Sequence, residues 1–189
     1  MWKSGRPSLD YLGTVRWRRG PEPHEHLSQP SDLADWGTRS GLVTEPLGAT
    51  PAQLTTAREL REVIYRVIFG RINGANPTDA DVTALNAAAR RSPVELSLAG
   101  DGAVRRAGTV SQLLSAVARD ALDLLGSDQI GLVRECDGPR CTRLYVDSSR
   151  ARNRRWCSNT ECGNQAKVAA FRRRTSSLPT PVDADASNH

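Results

Sequence analysis

The chain has 189 residues, 38% hydrophobic and 5% aromatic, enough for an aliphatic core of modest size in one domain or in a domain with a small module attached. No stretch approaches the ~20 consecutive apolar residues that span a bilayer, and Met1–Arg6 lacks the apolar run of a signal peptide, so a cytoplasmic protein with no membrane partner is expected. The formal charge of +5 is unevenly spread: Arg134 to Arg174 holds 11 Lys and Arg against 4 Asp and Glu, leaving 15 against 17 elsewhere. A neutral-to-acidic body carrying a basic C-terminal stretch is the electrostatic footprint of a nucleic-acid-binding protein.

In chain order, Ser8 to Trp17 is a short apolar run whose periodicity fits a strand or a helix. The loop Arg18 to Pro30 follows, with three prolines; His24 and His26 flank Glu25 there, but without a further ligand nearby they read as a solvated loop. Ser31 or Asp32 caps a short helix through Leu33 and Trp36 that ends near Gly41. The clearest helix is capped by Thr50, has Pro51 in its first position and runs to about Asn73. Leu54, Ala57, Leu60, Ile64, Val67, Ile68 and Ile72 give it one apolar face.

Thr78, after Pro77, caps a second helix carrying Val82, Leu85, Ala88 and Ala89. Val94–Leu98 and Ala103–Ala107, joined by Gly100-Asp101-Gly102, predict a hairpin. A helix over Ser111–Leu125, capped near Thr109, presents Leu113, Leu114, Val117, Ala121 and Leu124. The expected fold is therefore mainly α with a small β-hairpin. A helical domain occupies residues 1–127 and a C-terminal zinc-binding finger 128–175; the polar, proline-containing tail 176–189 is expected to be disordered.

The finger rests on the cysteines. All four lie in it, as Cys136/Cys141 and Cys157/Cys162, each pair with four residues between its members and fifteen between the pairs. In a reducing compartment this is the layout of two knuckles that supply four thiolates to one tetrahedral zinc ion, with no open position for catalysis. Gly138-Pro139 lets the first knuckle fold back, Leu144-Tyr145-Val146 is a short strand with Tyr145 packing over the site, and Ser158 to Glu161 fits a capping box starting a helix that contains Cys162.

Around the cysteines, Arg150, Arg152, Arg154, Arg155, Lys167, Arg172, Arg173 and Arg174 are the candidates for nucleic-acid contact; the competing reading is a solvated face that offsets the thiolates. Trp156 is a lid on the cluster or a base-stacking platform. In the N-terminal part, Asp10, Arg16 and Trp17 form either a small-ligand pocket or a buried ion pair beside a core aromatic. The chain has no nucleophile-base motif, phosphate loop or dinucleotide fingerprint, so no enzyme is expected.

Several elements resemble the bacterial CGNR zinc finger: the Cys136/Cys141 knuckle, Asp147-Ser148-Ser149-Arg150, Arg154-Arg155-Trp156-Cys157 and Cys162-Gly163-Asn164-Gln165. Gln165 replaces the arginine that gives that finger its name. Leu9 to Val15, Pro30 to Trp36 and Gly41-Leu42 are similar to the ABATE domain of stress-induced transcription regulators, which precedes this finger in its family; Gly13 stands where the family commonly has asparagine. The resemblance implies a transcription regulator whose finger binds DNA and whose N-terminal domain senses a small ligand or forms a homodimer. An RNA-binding or protein-interaction module with a purely architectural zinc is the alternative.

Overall fold

The computed structural model describes residues 4–176. The first apolar run divides: α1 covers Pro7–Leu12, and β1 (Val15–Arg16) pairs antiparallel with β2 (His24–Glu25). Two-residue strands are too short to leave a period in the sequence, so this pairing was not legible there. The α2 helix spans Pro30–Arg39 and starts earlier than expected. Gln29 is its N-cap, and Asp32 sits one turn in, its carboxylate accepting from the amides of Ser28 (2.8 Å) and Gln29 (3.0 Å).

The three long helices follow their local signals. Thr50 caps α3 (Pro51–Ile72), Thr78 caps α4 (Asp79–Ala89) and Thr109 caps α5 (Val110–Gly126), each threonine accepting from the amide three residues on. Between α4 and α5 the expected hairpin forms from β3 (Glu95–Leu98) and β4 (Val104–Ala107). The core lies where α1, α3 and α5 meet: Leu9, Ala57, Ile64, Ile68, Leu113, Val117 and Leu124 are inaccessible to solvent. Tyr11 is equally buried, its hydroxyl donating to the Ala57 carbonyl at 2.7 Å and its ring 4.8 Å from that of Trp36. Replacing one of the core leucines by alanine costs about 2–5 kcal/mol.

After a 3₁₀ turn over Asp128–Leu132, β5 (Val133–Glu135) pairs antiparallel with β6 (Leu144–Val146). This hairpin belongs to both parts of the molecule. Val133, Leu144 and Val146 pack in the core of the helical domain, while Tyr145, between two of them, points to the cysteine cluster. Alternation of side chains along a strand explains the division. A five-residue π-type turn (Asn159–Gly163) then leads into α6 (Asn164–Ser176). The architecture is the expected helical domain with small hairpins and a C-terminal finger. The tail beyond Ser176, expected to be disordered, lies outside the described residues.

Candidate metal centre and nucleic-acid interface

Four elements deliver the four sulfurs. Cys136 follows β5, Cys141 closes the knuckle before β6, Cys157 ends the arginine-rich loop, and Cys162 sits in the π-type turn. Their Sγ atoms all lie within 4.8 Å of one another, and the Cys141–Cys157 and Cys157–Cys162 separations are 3.7 Å. That is far too long for a disulfide. It is the edge of a tetrahedron whose metal–sulfur bonds are ~2.3 Å, the zinc–thiolate length.

The backbone is shaped for sulfur. The amides of Gly138 and Cys157 donate to the Cys136 Sγ at 3.4 and 3.3 Å. A Cβ at Gly138 would stand 3.0 Å from the Cys141 Cβ and 3.3 Å from the Cys162 Sγ, so the first knuckle wraps this closely only because glycine occupies the turn. Hydrogen bonds from Cys141 and Cys157 pull the Cys136 thiol down to about 2, whereas burial and the neighbouring sulfur charges push Cys162 up to about 12. Four thiols this close cannot all ionise without a cation among them. The donor set fits one structural zinc ion, with every tetrahedral position taken by protein.

The loop Asp147–Trp156 is held from inside. The buried Asp147 carboxylate accepts from the amides of Ser149 and Arg154, both at 3.0 Å, and this hydrogen bonding, led by Ser149, holds its carboxyl below the usual range. Arg154 is drawn inward. Its Nε donates to the Trp156 carbonyl at 2.7 Å, its Nη2 donates to the Cys157 carbonyl, and its guanidinium lies 4.5 Å from the centre of the Tyr145 ring. The Tyr145 hydroxyl donates back to the Arg154 carbonyl. Arg154 therefore braces the second knuckle, three groups inside the finger occupying its guanidinium.

The other candidate cations divide. Arg150, Arg152, Arg155, Lys167 and Arg172 are exposed, while Arg173 and Arg174 fall in the last turns of α6. Arg155 pairs with Asp137 at 2.8 Å and lies over the half-buried Trp156 ring. Arg155, Trp156 and Lys167 share a groove of about 520 Å³ between the first knuckle and α6. Another groove, of about 590 Å³, is lined by Arg16, Asn164, Gln165, Val168 and Arg172. Gln165 thus shares a groove with Arg172 of its own helix and with Arg16 of the N-terminal domain, beside Glu161, which the sequence could not show.

Asp10, Arg16 and Trp17 meet the finger. Asp10 pairs with Arg143 of the finger at 3.5 Å and accepts from the Ser4 amide at 2.9 Å; Arg16 approaches Glu161 at 3.9 Å; Arg140 lies 4.8 Å over the Trp17 ring. The cavity beside Arg16 and Trp17 measures about 10 Å³, room for one water molecule. These residues form a junction between the domains. An apolar cleft of about 340 Å³, missed from sequence because three helices build it, lies elsewhere: Leu60, Val63, Ala84, Ala88, Val110 and Leu114 line it.

Comparison with known families agrees with this division. Residues 5–128 match ABATE, described as "Putative stress-induced transcription regulator", and residues 133–175 match the CGNR zinc finger. No match is found among curated proteins. Among the described residues no helix is long and apolar enough to cross a membrane. The chain belongs to the ABATE family and carries a CGNR zinc finger at its C-terminal end.

Proposed function

We propose that the protein is a cytoplasmic transcription regulator whose finger binds DNA, with zinc fixing the surface and taking no part in chemistry. One observation carries this reading: with Arg154 turned inward to hold the second knuckle, Arg150, Arg152, Arg155 and Lys167 still face solvent on the same metal-fixed module. A rigid array of cations on a closed zinc site suits phosphate contact, which positions a protein on the duplex. Arg155 gives the least of these, since Asp137 already claims part of its charge.

Arg172 and Gln165 on α6, which line one groove with Arg16 of the N-terminal domain, are on this reading the residues for contacts beyond phosphate. A small effector, on this reading, takes the α3–α4–α5 cleft and not the Asp10–Trp17 junction. Single-stranded nucleic acid is the second reading, favoured by Trp156, whose half-buried ring shares a groove with Arg155 and Lys167 and offers a stacking face.

Fluorescence-anisotropy titration of zinc-loaded protein against duplex and single-stranded DNA and RNA over a range of salt tests both. The Arg150→Gln/Arg152→Gln double variant is expected to flatten the logarithmic salt dependence on duplex DNA by up to about two units, each lost phosphate contact being worth ~0.9. An unaltered slope and affinity would refute the assignment. Stronger binding to single strands, lost in Trp156→Ala, would favour the second reading.

A further inference from the structure

We infer that the outer edge of β3 pairs with β3 of a second copy of this chain, joining two β3–β4 hairpins into one four-stranded antiparallel sheet. The inference does not rest on DNA binding. It starts from side chains that the fold leaves outside: Leu96, Leu98 and Val104 are 68%, 75% and 48% exposed. The hairpin register places Leu96 opposite Arg106 and Leu98 opposite Val104, so the three apolar side chains share one face of the ribbon.

The backbone shows which edge is open. The Ala99 amide donates to the Ala103 carbonyl at 2.8 Å, which marks that pair as hydrogen-bonded; by alternation, Ser97–Arg105 and Glu95–Ala107 are hydrogen-bonded as well. The intervening residues, Leu96, Leu98, Val104 and Arg106, therefore turn their amides and carbonyls outward. On β4 the Arg106 groups have a partner, its carbonyl accepting from the Thr44 amide and its amide donating to the Thr44 hydroxyl, both at 2.9 Å. On β3 the corresponding groups of Leu96 and Leu98 face away from the molecule. This edge has no lysine, proline or bulge to discourage pairing.

The sequence of the edge is complementary to itself. A two-fold axis through Ser97 sets Leu96 of one copy against Leu98 of the other, and both are residues whose backbone groups point out. The two copies can then exchange amide–carbonyl bonds at each leucine pair, with four leucines gathered on one face. Charge agrees with that register: Glu95 falls opposite Ala99, and Arg105 and Arg106 lie on the outer strands, so no like charges oppose each other directly. A shift of two residues either way keeps the backbone pairing but leaves one direct leucine pair, Leu96 on Leu96 or Leu98 on Leu98, in place of two. The edge is a single four-residue strand, small against the ~1,200 Å² at which specific interfaces begin, so weak association is expected.

Sedimentation velocity of the zinc-loaded full chain over a micromolar-to-millimolar concentration series tests this, together with oxidative cross-linking of Ser97→Cys. At the two-fold axis the Ser97 residues form a non-hydrogen-bonded pair with Cα atoms ~4.5 Å apart, within disulfide reach. Ser97→Cys is expected to yield a covalent dimer. Leu96→Lys/Leu98→Lys, which alters only exposed positions, is expected to weaken dimerisation by at least about tenfold while keeping the circular dichroism spectrum. A chain that stays monomeric, and so leaves the edge to a different partner, would overturn the inference. So would a dimer that survives the lysines and fails to cross-link.

Discussion

Gly138 shows how much of a metal site is written in residues that donate nothing to the metal. Its missing Cβ is the space in which Cys141 and Cys162 approach, and its amide is one of two that bond the Cys136 sulfur. Gly138→Ala is expected to leave the helical domain folded but to lower zinc affinity by about 10–100-fold, the range typical of residues that position ligands. Competition with a chromogenic chelator measures it, and wild-type affinity would show that the knuckle can open without cost. Gly13 plays a comparable part at the junction. A Cβ there would meet the Arg143 guanidinium at 2.8 Å, so the glycine leaves room for Arg143 where it pairs with Asp10. The zinc ligands were legible in the sequence because their spacing is local. The inward turn of Arg154 was not, because in Arg154-Arg155-Trp156-Cys157 two adjacent arginines look alike until the carbonyls and the Tyr145 ring around them are in place.

Among the elements, the starts of the long helices were legible because each begins with a threonine cap, a signal that acts within one turn. The β1–β2 ribbon depends instead on a distant helix. Arg61 of α3, almost fully buried, bonds Thr14 at 3.0 Å, Glu62 at 2.9 Å and both carboxylate oxygens of Glu25, and so clamps the ribbon to the core. Burial opposes the Glu25 charge, but the hydrogen bonds from Arg61 and the Leu27 amide outweigh it and hold its carboxyl below the ordinary value. A depressed carboxylate stabilises the fold above its unfolded pKa, ~4.3, and that contribution is lost as pH falls through the folded value. Between pH 5 and pH 3 the melting temperature of wild type is therefore expected to fall more steeply than that of Glu25→Gln, which starts lower. Parallel curves from scanning calorimetry would assign the acid sensitivity to other groups.

For the whole molecule, the consequence is that the finger is not an independent bead. Val133, Leu144 and Val146 complete the helical core, and the Val146 amide donates to the Ser4 carbonyl and the Asp147 amide to the Leu132 carbonyl, at 2.9 and 2.8 Å. Cysteine ligation and the core thus share one hairpin. Removing zinc with a strong chelator is expected to lower the melting temperature of the helical domain as well as unfold the finger, seen as loss of near-ultraviolet signal from Tyr11 and Trp36. If the helical domain melts at the same temperature with and without zinc, the coupling is absent. The sequence by itself determined the three long helices, the hairpin between α4 and α5, the four thiolates and the excess of positive charge around them, because caps, turns and ligand spacing act over a few residues. Tertiary structure decided which arginine braces the site and which face solvent, that Asp10, Arg16 and Trp17 form a junction, and that β3 keeps an open edge. Those outcomes depend on groups far apart in the chain, whose contacts no local pattern encodes.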